Sequence, residues 1–269
     1  MALTQVSRRD PWPRLRDVNH EPSEVVYRRL AKLLSLVTRW AGDRDWRATE
    51  KVPKQGGVLV VINHTSDFDP VAVGLYLIYG AGRWVRYLGK VQIFKAPGLG
   101  WLARSCGQIP VDRQSERAKD SLAAAKAALN AGKLVGIYPE GTKGSDPDHW
   151  PMEGKTGAAR LALESDVPVI PIGQWGSHQF MPYHKHGFPL VLSRHHVFRA
   201  IAGDPIEFED LRSQPLTKEV LADATRRIID AITEQVAIVR GEPVPTQRWD
   251  PELQRHVPID QGPRSSGSH

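Results

Sequence analysis

The chain has one cysteine, Cys106. A single thiol excludes an intramolecular disulfide and any metal cluster built from cysteine alone, and it fits a reducing compartment. Long apolar runs are also missing. The uncharged apolar stretch 70–82 falls well short of the roughly 20 residues a membrane-spanning helix needs. Residues 1–16 are polar, basic and proline-containing, so no secretory leader is read there. No G-x-S-x-G turn occurs, which removes the nucleophile elbow of serine hydrolases. No internal repeat is visible either. Acidic side chains are the minority, 30 against 36 lysines and arginines, for a net charge of +6.

The basic excess is uneven. Residues 83–119 hold eight basic side chains against two acidic ones, and residues 1–56 hold twelve against seven. Such a field attracts phosphate, an anionic lipid surface or nucleic acid, and does not choose among them. A binder that used this charge alone would lose affinity steeply with salt and would be indifferent to any one histidine.

Apolar runs of strand length alternate with helical periods through the middle of the chain. Strands are expected at 57–62, 84–88, 108–111, 134–138, 167–172 and 198–201. Helices are expected at 70–79, after Ser115 as far as Gly132, at 154–164 and at 217–240. This alternation predicts an α/β single domain with a mostly parallel central sheet flanked by helices. Residues 51–240 would form that domain, 1–50 an N-terminal arm with an amphipathic helix, and 241–269 a proline-rich polar tail lacking regular order. The helix is expected from a Ser23 cap to about Ala41. Its apolar face carries Val26, Leu30, Leu33, Leu34, Val37 and Trp40, and arginines lie elsewhere. It suits either a membrane interface or the protein's own core. Residues 93–102 form a short apolar piece suited to an alkyl chain or a bilayer. His178, His184 and His186 read as surface histidines, since no cysteine or carboxylate sits among them to complete a metal site.

The segment Asn63-His64-Thr65-Ser66-Asp67-Phe68-Asp69-Pro70 lies where the 57–62 strand gives way to a helix. Ligands and reacting groups of α/β folds gather at such turns. An imidazole there can accept a proton near neutral pH, and a neighbouring carboxylate can orient it and stabilise its charged form. Asp67 and Asp69 are both within reach by spacing. Asp69-Pro70 is also what an ordinary helix start looks like, with aspartate as cap and proline in the first turn. In a parallel sheet, the segments 63–70, 90–95, 112–113 and 139–143 should meet at one edge.

Four segments together resemble the glycerolipid acyltransferase superfamily, the PlsC-like 1-acylglycerol-3-phosphate acyltransferases. His64-Thr65-Ser66-Asp67-Phe68-Asp69 is similar to its HxxxxD block, and Gly107-Gln108-Ile109-Pro110-Val111-Asp112-Arg113 to its second block. Tyr138-Pro139-Glu140-Gly141-Thr142-Lys143 resembles the third, and Val167-Pro168-Val169-Ile170-Pro171-Ile172 the fourth. Their order and spacing fit, over about residues 55–205. The resemblance implies that His64 is the general base and that Asp69 is its partner. Arg113, Glu140, Gly141, Thr142, Lys143 and Lys90 would bind the acceptor's phosphate and glycerol. Val167, Pro168, Ile170 and Pro171 would line an acyl channel. It further implies transfer of a fatty acyl group from acyl-CoA or acyl carrier protein to lysophosphatidic acid, giving phosphatidic acid. No bound cofactor and no metal would be needed, and the enzyme would sit peripherally on the cytoplasmic face of an anionic membrane. One departure stands out. The third block usually ends in arginine and here ends in Lys143, which keeps the charge but loses the bidentate fork. An acceptor such as glycerol 3-phosphate or a glycolipid therefore stays open.

Overall fold

The computed structural model describes residues 5–6, 11–111, 118–182 and 196–259. Among these residues eight strands form the main sheet: β1 (Gln5–Val6), β2 (Gly42–Arg47), β3 (Val58–Ile62), β4 (Val85–Lys90), β5 (Ile109–Val111), β6 (Leu134–Ile137), β7 (Val169–Trp175) and β8 (His196–Ala202). Their spatial order is β1-β2-β8-β7-β3-β6-β4-β5. Only β1–β2 and β7–β8 pair antiparallel, and the other neighbours are parallel.

The middle of this sheet is apolar on both sides, as buried parallel strands require. All of β3 is buried, and its residues alternate between two cores. Val58, Val60 and Ile62 face one with Tyr76, Trp84 and Ile170. Leu59 and Val61 face the other with Leu129, Leu161, Ile228 and Ile232. The second core is covered by α6 (Ala118–Asn130), α7 (Thr156–Glu164) and α10 (Lys218–Arg240). Over the first core lie α2 (Val25–Ala41) and α3 (Asp69–Leu75), the latter continued by a π-helical turn, Tyr76–Ala81. The other α-helices among the described residues are short: α1 (Leu15–Val18), α4 (Val91–Lys95), α5 (Leu99–Ser105), α8 (Ser177–Phe180) and α9 (Glu209–Arg212).

Three features differ from the sequence expectation. First, β2 lies inside residues 1–50 yet pairs with β8 in the central sheet. Its sequence, Gly-Asp-Arg-Asp-Trp-Arg, is too charged to read as a strand, but it keeps period two: Arg44 and Trp46 are buried while their neighbours are half-buried. The Arg44 guanidinium lies 4.6 Å from the Trp12 ring centroid and donates to the Pro11 carbonyl at 3.0 Å, so a charge replaces an apolar residue there. Second, the region after Gly241 contains a hairpin, β9 (Gln247–Asp250) with β10 (Arg255–Pro258), docked through Arg248–Asp230 and Trp249 Nε1–Ser145 Oγ. Third, α2 has Glu24 at its cap position with no side-chain cap, and the Ser23 hydroxyl instead donates to Glu24. Its inward face is Tyr27, Ala31, Ser35 and Thr38, and Leu33, Leu36, Val37 and Trp40 are exposed.

The start of α2 is pinned to β4 by buried arginines. Arg86 pairs with Glu24 at 2.7 Å and also donates to the Cys106 carbonyl. Arg83, 1% exposed, pairs with Glu21 and donates to the carbonyls of Pro53, Gly56 and Gly132. Removing such a buried charge leaves its carbonyls and its carboxylate partner unmatched. Arg83→Met should therefore lower the unfolding free energy by about 3 kcal/mol in urea denaturation.

Candidate active site

Parallel strands β3, β6 and β4 end at the same edge of the sheet, and the loops that follow them build the site. The turn after β3 is organised by one carboxylate. Asp69 is fully buried, and its Oδ2 receives His64 Nδ1 at 2.9 Å and the backbone N–H groups of Thr65 at 2.6 Å and Ser66 at 2.8 Å. Asp69 is the first residue of α3, and the cap position belongs to Phe68. Its carboxylate thus serves the preceding turn and the imidazole rather than the helix end. Asp67 points outward from the same turn and is not a partner of His64.

With Nδ1 committed to Asp69, Nε2 is the nitrogen left to take a proton, and the imidazole remains partly open to solvent. Tyr138 holds the ring from one side, its centroid 4.2 Å away in a stacked arrangement. Thr65 Oγ1 accepts from Gln174 Nε2 at 3.1 Å, and Asn63 exchanges two hydrogen bonds with the Gln174 backbone. Tyr138, Asn63 and Gln174 were not singled out from sequence. The signal available was a run of polar groups directly after a wholly apolar strand, where buried polar atoms demand partners.

The loop after β6 is tied to this turn at two points. Glu140 Oε1 accepts from the His64 backbone N–H at 2.8 Å, and Gly144 N–H donates to the His64 carbonyl at 2.7 Å. Glu140 Oε2 accepts from Met152 N–H at 3.1 Å. The Glu140 carboxyl is buried and turned inward, holding the segment that carries the imidazole. Burial pushes its pKa up to about 8 against the pull of those two N–H donors. Gly141 takes the left-handed conformation, φ +73°, and a side chain there would press on Lys155. Thr142 is exposed at the edge, and Lys143 Nζ lies 2.6 Å from Asp67 Oδ2. Lys90 is exposed at the end of β4, on the same edge. Arg113, with the rest of 112–117, lies outside the described residues, as do His184 and His186.

An apolar cavity of about 240 Å³ opens between α2, α3 and α5, lined by residues such as Leu34, Val71, Gly74, Tyr87, Leu102 and Cys106. Tyr87 on its wall stacks on Tyr138 at 5.9 Å, and Tyr138 stacks on His64. Two aromatic rings thus separate the cavity from the imidazole. Val167, Pro168, Ile170 and Pro171 are not on this wall. Ile170 packs within the sheet's core, and Val167 against the opposite one. His178 is not a plain surface residue. It stacks on His149 at 4.4 Å and meets Trp175, and burial lowers its pKa to about 4.

Comparison with known proteins finds acyltransferases. The acyltransferase family model matches residues 44–175. The 1-acyl-sn-glycerol-3-phosphate acyltransferase of Bacillus subtilis is 23% identical over 209 residues, covering 78% of this chain and 96% of its own. The chloroplastic 1-acyl-sn-glycerol-3-phosphate acyltransferase BAT2 of Brassica napus is 29% identical over 164 residues, which are 60% of this chain and 44% of the plant protein. The chain therefore matches less than half of that plant relative's length. The crystal structure of PlsC, the 1-acyl-sn-glycerophosphate acyltransferase of Thermotoga maritima, superposes with a TM-score of 0.60 at 21% identity, covering 81% of this chain and 80% of that one. The chain has a PlsC-like α/β fold, and its match to the acyltransferase family covers just under half of its length.

The raised Glu140 pKa has a consequence for stability. A carboxyl that binds its proton more tightly in the folded state contributes most below its unfolded value of 4.5, and that contribution is lost as pH rises through about 8. Between pH 5 and 8 the wild type should lose stability at up to about 1.4 kcal/mol per pH unit from this group. Glu140→Gln should flatten that slope in denaturation measured across the range.

Proposed function

We propose that the chain transfers a fatty acyl group from an acyl thioester to a hydroxyl of 1-acylglycerol 3-phosphate, yielding phosphatidic acid. The observation that carries this reading is the His64–Asp69 pair, set at the same sheet edge as Lys143 and Lys90 and separated from an apolar cavity by two stacked rings. The names of the relatives support it. The acceptor's oxygen attacks the thioester carbonyl while His64 Nε2 takes its proton, and Asp69 stabilises the imidazolium that results. Collapse of the tetrahedral intermediate breaks the carbon–sulfur bond, and the proton passes to the departing thiolate. Cations and backbone amides at the edge would steady the oxyanion. No acyl-enzyme is required. Cys106 is buried, and burial raises its thiol pKa to about 11, so it is a poor nucleophile.

In this reading the donor is acyl-CoA or acyl carrier protein, its acyl chain occupying the cavity between α2 and α5. Arg113, Thr142, Lys143 and Lys90 would meet the acceptor's headgroup, with Glu140 and Gly141 shaping the loop that presents them. Lysine at 143 also keeps a second acceptor open, glycerol 3-phosphate or a glycolipid, because a single ammonium grips phosphate less specifically than a guanidinium. Labelled acyl-CoA with a panel of acceptors separates these. His64→Ala should lower transfer by about 10³-fold with the fold intact by circular dichroism. Full activity in that variant would end the proposal.

The same reading places the protein peripherally on an anionic membrane, at the cytoplasmic face where acyl thioesters are made. No helix among the described residues is long and apolar enough to cross one. On α2, Leu33 is 58% exposed, Leu36 59% and Trp40 47%, and nearby Trp101 of α5 is 60% exposed. Arg28, Arg29, Lys32 and Arg39 are exposed on the same α2 helix. Apolar side chains flanked by cations suit a headgroup boundary. Replacing Leu33, Leu36 and Trp40 together by serine should weaken sedimentation with phosphatidylglycerol vesicles by about 10-fold or more while leaving the melting temperature within a few degrees.

A further inference from the structure

The cation at the end of the third block is already matched. Lys143 Nζ lies 2.6 Å from Asp67 Oδ2, and the two side chains are 20% and 46% exposed. The pairing is fixed by backbone on both sides. Asp69 N–H donates to the Ser66 carbonyl, and Phe68 N–H to the Ser66 hydroxyl, a tight turn that buries Phe68 and projects Asp67 outward. Gly144 N–H donates to the His64 carbonyl, which brings Lys143 alongside that turn. The carboxylate therefore stands on the same turn as the imidazole, beside the lysine that would meet an acceptor's anion.

Resting on the function proposed above, we infer that Asp67 acts as an anionic gate on Lys143. It is a specificity-determining residue that weakens the site's hold on a phosphate-bearing acceptor. A phosphate approaching Lys143 comes within a few ångströms of a like charge, and must either displace the carboxylate or share the ammonium with it. Asp67 is exposed enough to swing into solvent, so the gate yields at a cost in acceptor affinity. An acceptor without a phosphate does not meet that cost. Asp67 acts through Lys143 and does not touch the imidazole, so its effect falls on acceptor KM and not on the chemical step.

The test is steady-state acyl transfer by wild type, Asp67→Asn and Asp67→Glu, at low and high salt. Lysophosphatidic acid and monoacylglycerol serve as acceptors. Asp67→Asn should lower KM for lysophosphatidic acid about five-fold at low salt, with kcat within about two-fold and KM for monoacylglycerol unmoved. Asp67→Glu should restore the wild-type KM, and the difference should shrink as salt screens the charges. An unchanged KM in Asp67→Asn overturns the gate. A raised KM also overturns it, because the carboxylate would then be holding the lysine in place for the phosphate. Calorimetric binding of glycerol 3-phosphate to the unreacted proteins reads the gate without turnover. Tighter binding to Asp67→Asn supports it, and equal or weaker binding overturns it. A wild type that acylates no phosphate-bearing acceptor would overturn the proposed function, while the binding comparison still decides the role of Asp67.

Discussion

Three donors converge on one oxygen of Asp69: the imidazole of His64 and the backbone N–H groups of Thr65 and Ser66. A wholly buried carboxylate is tolerable only when its hydrogen-bonding capacity is met, and here the partners that meet it are the turn and the base themselves. The same contacts that satisfy the charge fix the path of residues 64–66, the tautomer of the ring and the direction of its free nitrogen. Remove the carboxylate and the turn has no reason to hold its shape. The sheet supplies the rest, since β3 is anchored by apolar neighbours on both faces and ends where the turn begins.

A second carboxylate, Glu140, works on the same segment from the opposite side. It receives the His64 backbone N–H and so couples the loop after β6 to the turn after β3. The two loops are then a single unit, and the cation at position 143 inherits its place from that coupling. The edge has an electrostatic pattern: two buried acids behind the imidazole and a paired acid and base in front of it. The buried acids are structural anchors, and the exposed pair faces whatever enters. Tyr138 adds a lateral constraint, because its ring packs on the imidazole and leaves little freedom for rotation.

The core strands and long helices were legible in the sequence because their patterns are unambiguous. β3 and β7 read as apolar runs, and α10 as a helical period ending at a left-handed glycine, Gly241. The His64 turn was legible through its position after β3. The choice of Asp69 over Asp67 was not legible from spacing, since it depends on which carboxylate the turn buries. Charged strand β2 escaped notice because Arg44 is buried by aromatic stacking, which hydropathy does not register. The apolar stripe of α2 was visible, but its orientation was not. Packing turned Tyr27 and Ala31 inward and left Leu33 and Trp40 outside, a choice made by Glu21 and Glu24 reaching buried arginines some sixty positions away. The inward aim of Glu140 was likewise hidden, because its partners are backbone amides.

The central claim is that Asp69 holds neutral His64 with its proton on Nδ1, leaving Nε2 as the basic atom. Nitrogen NMR of protein labelled at its histidine rings reads this directly, with the signal of His64 identified by its absence from a His64-substituted sample. The account predicts a protonated Nδ1 and a bare Nε2 in the neutral ring. A His64 signal with the proton on Nε2, or one whose tautomer is the same when residue 69 is no longer an acid, would contradict it.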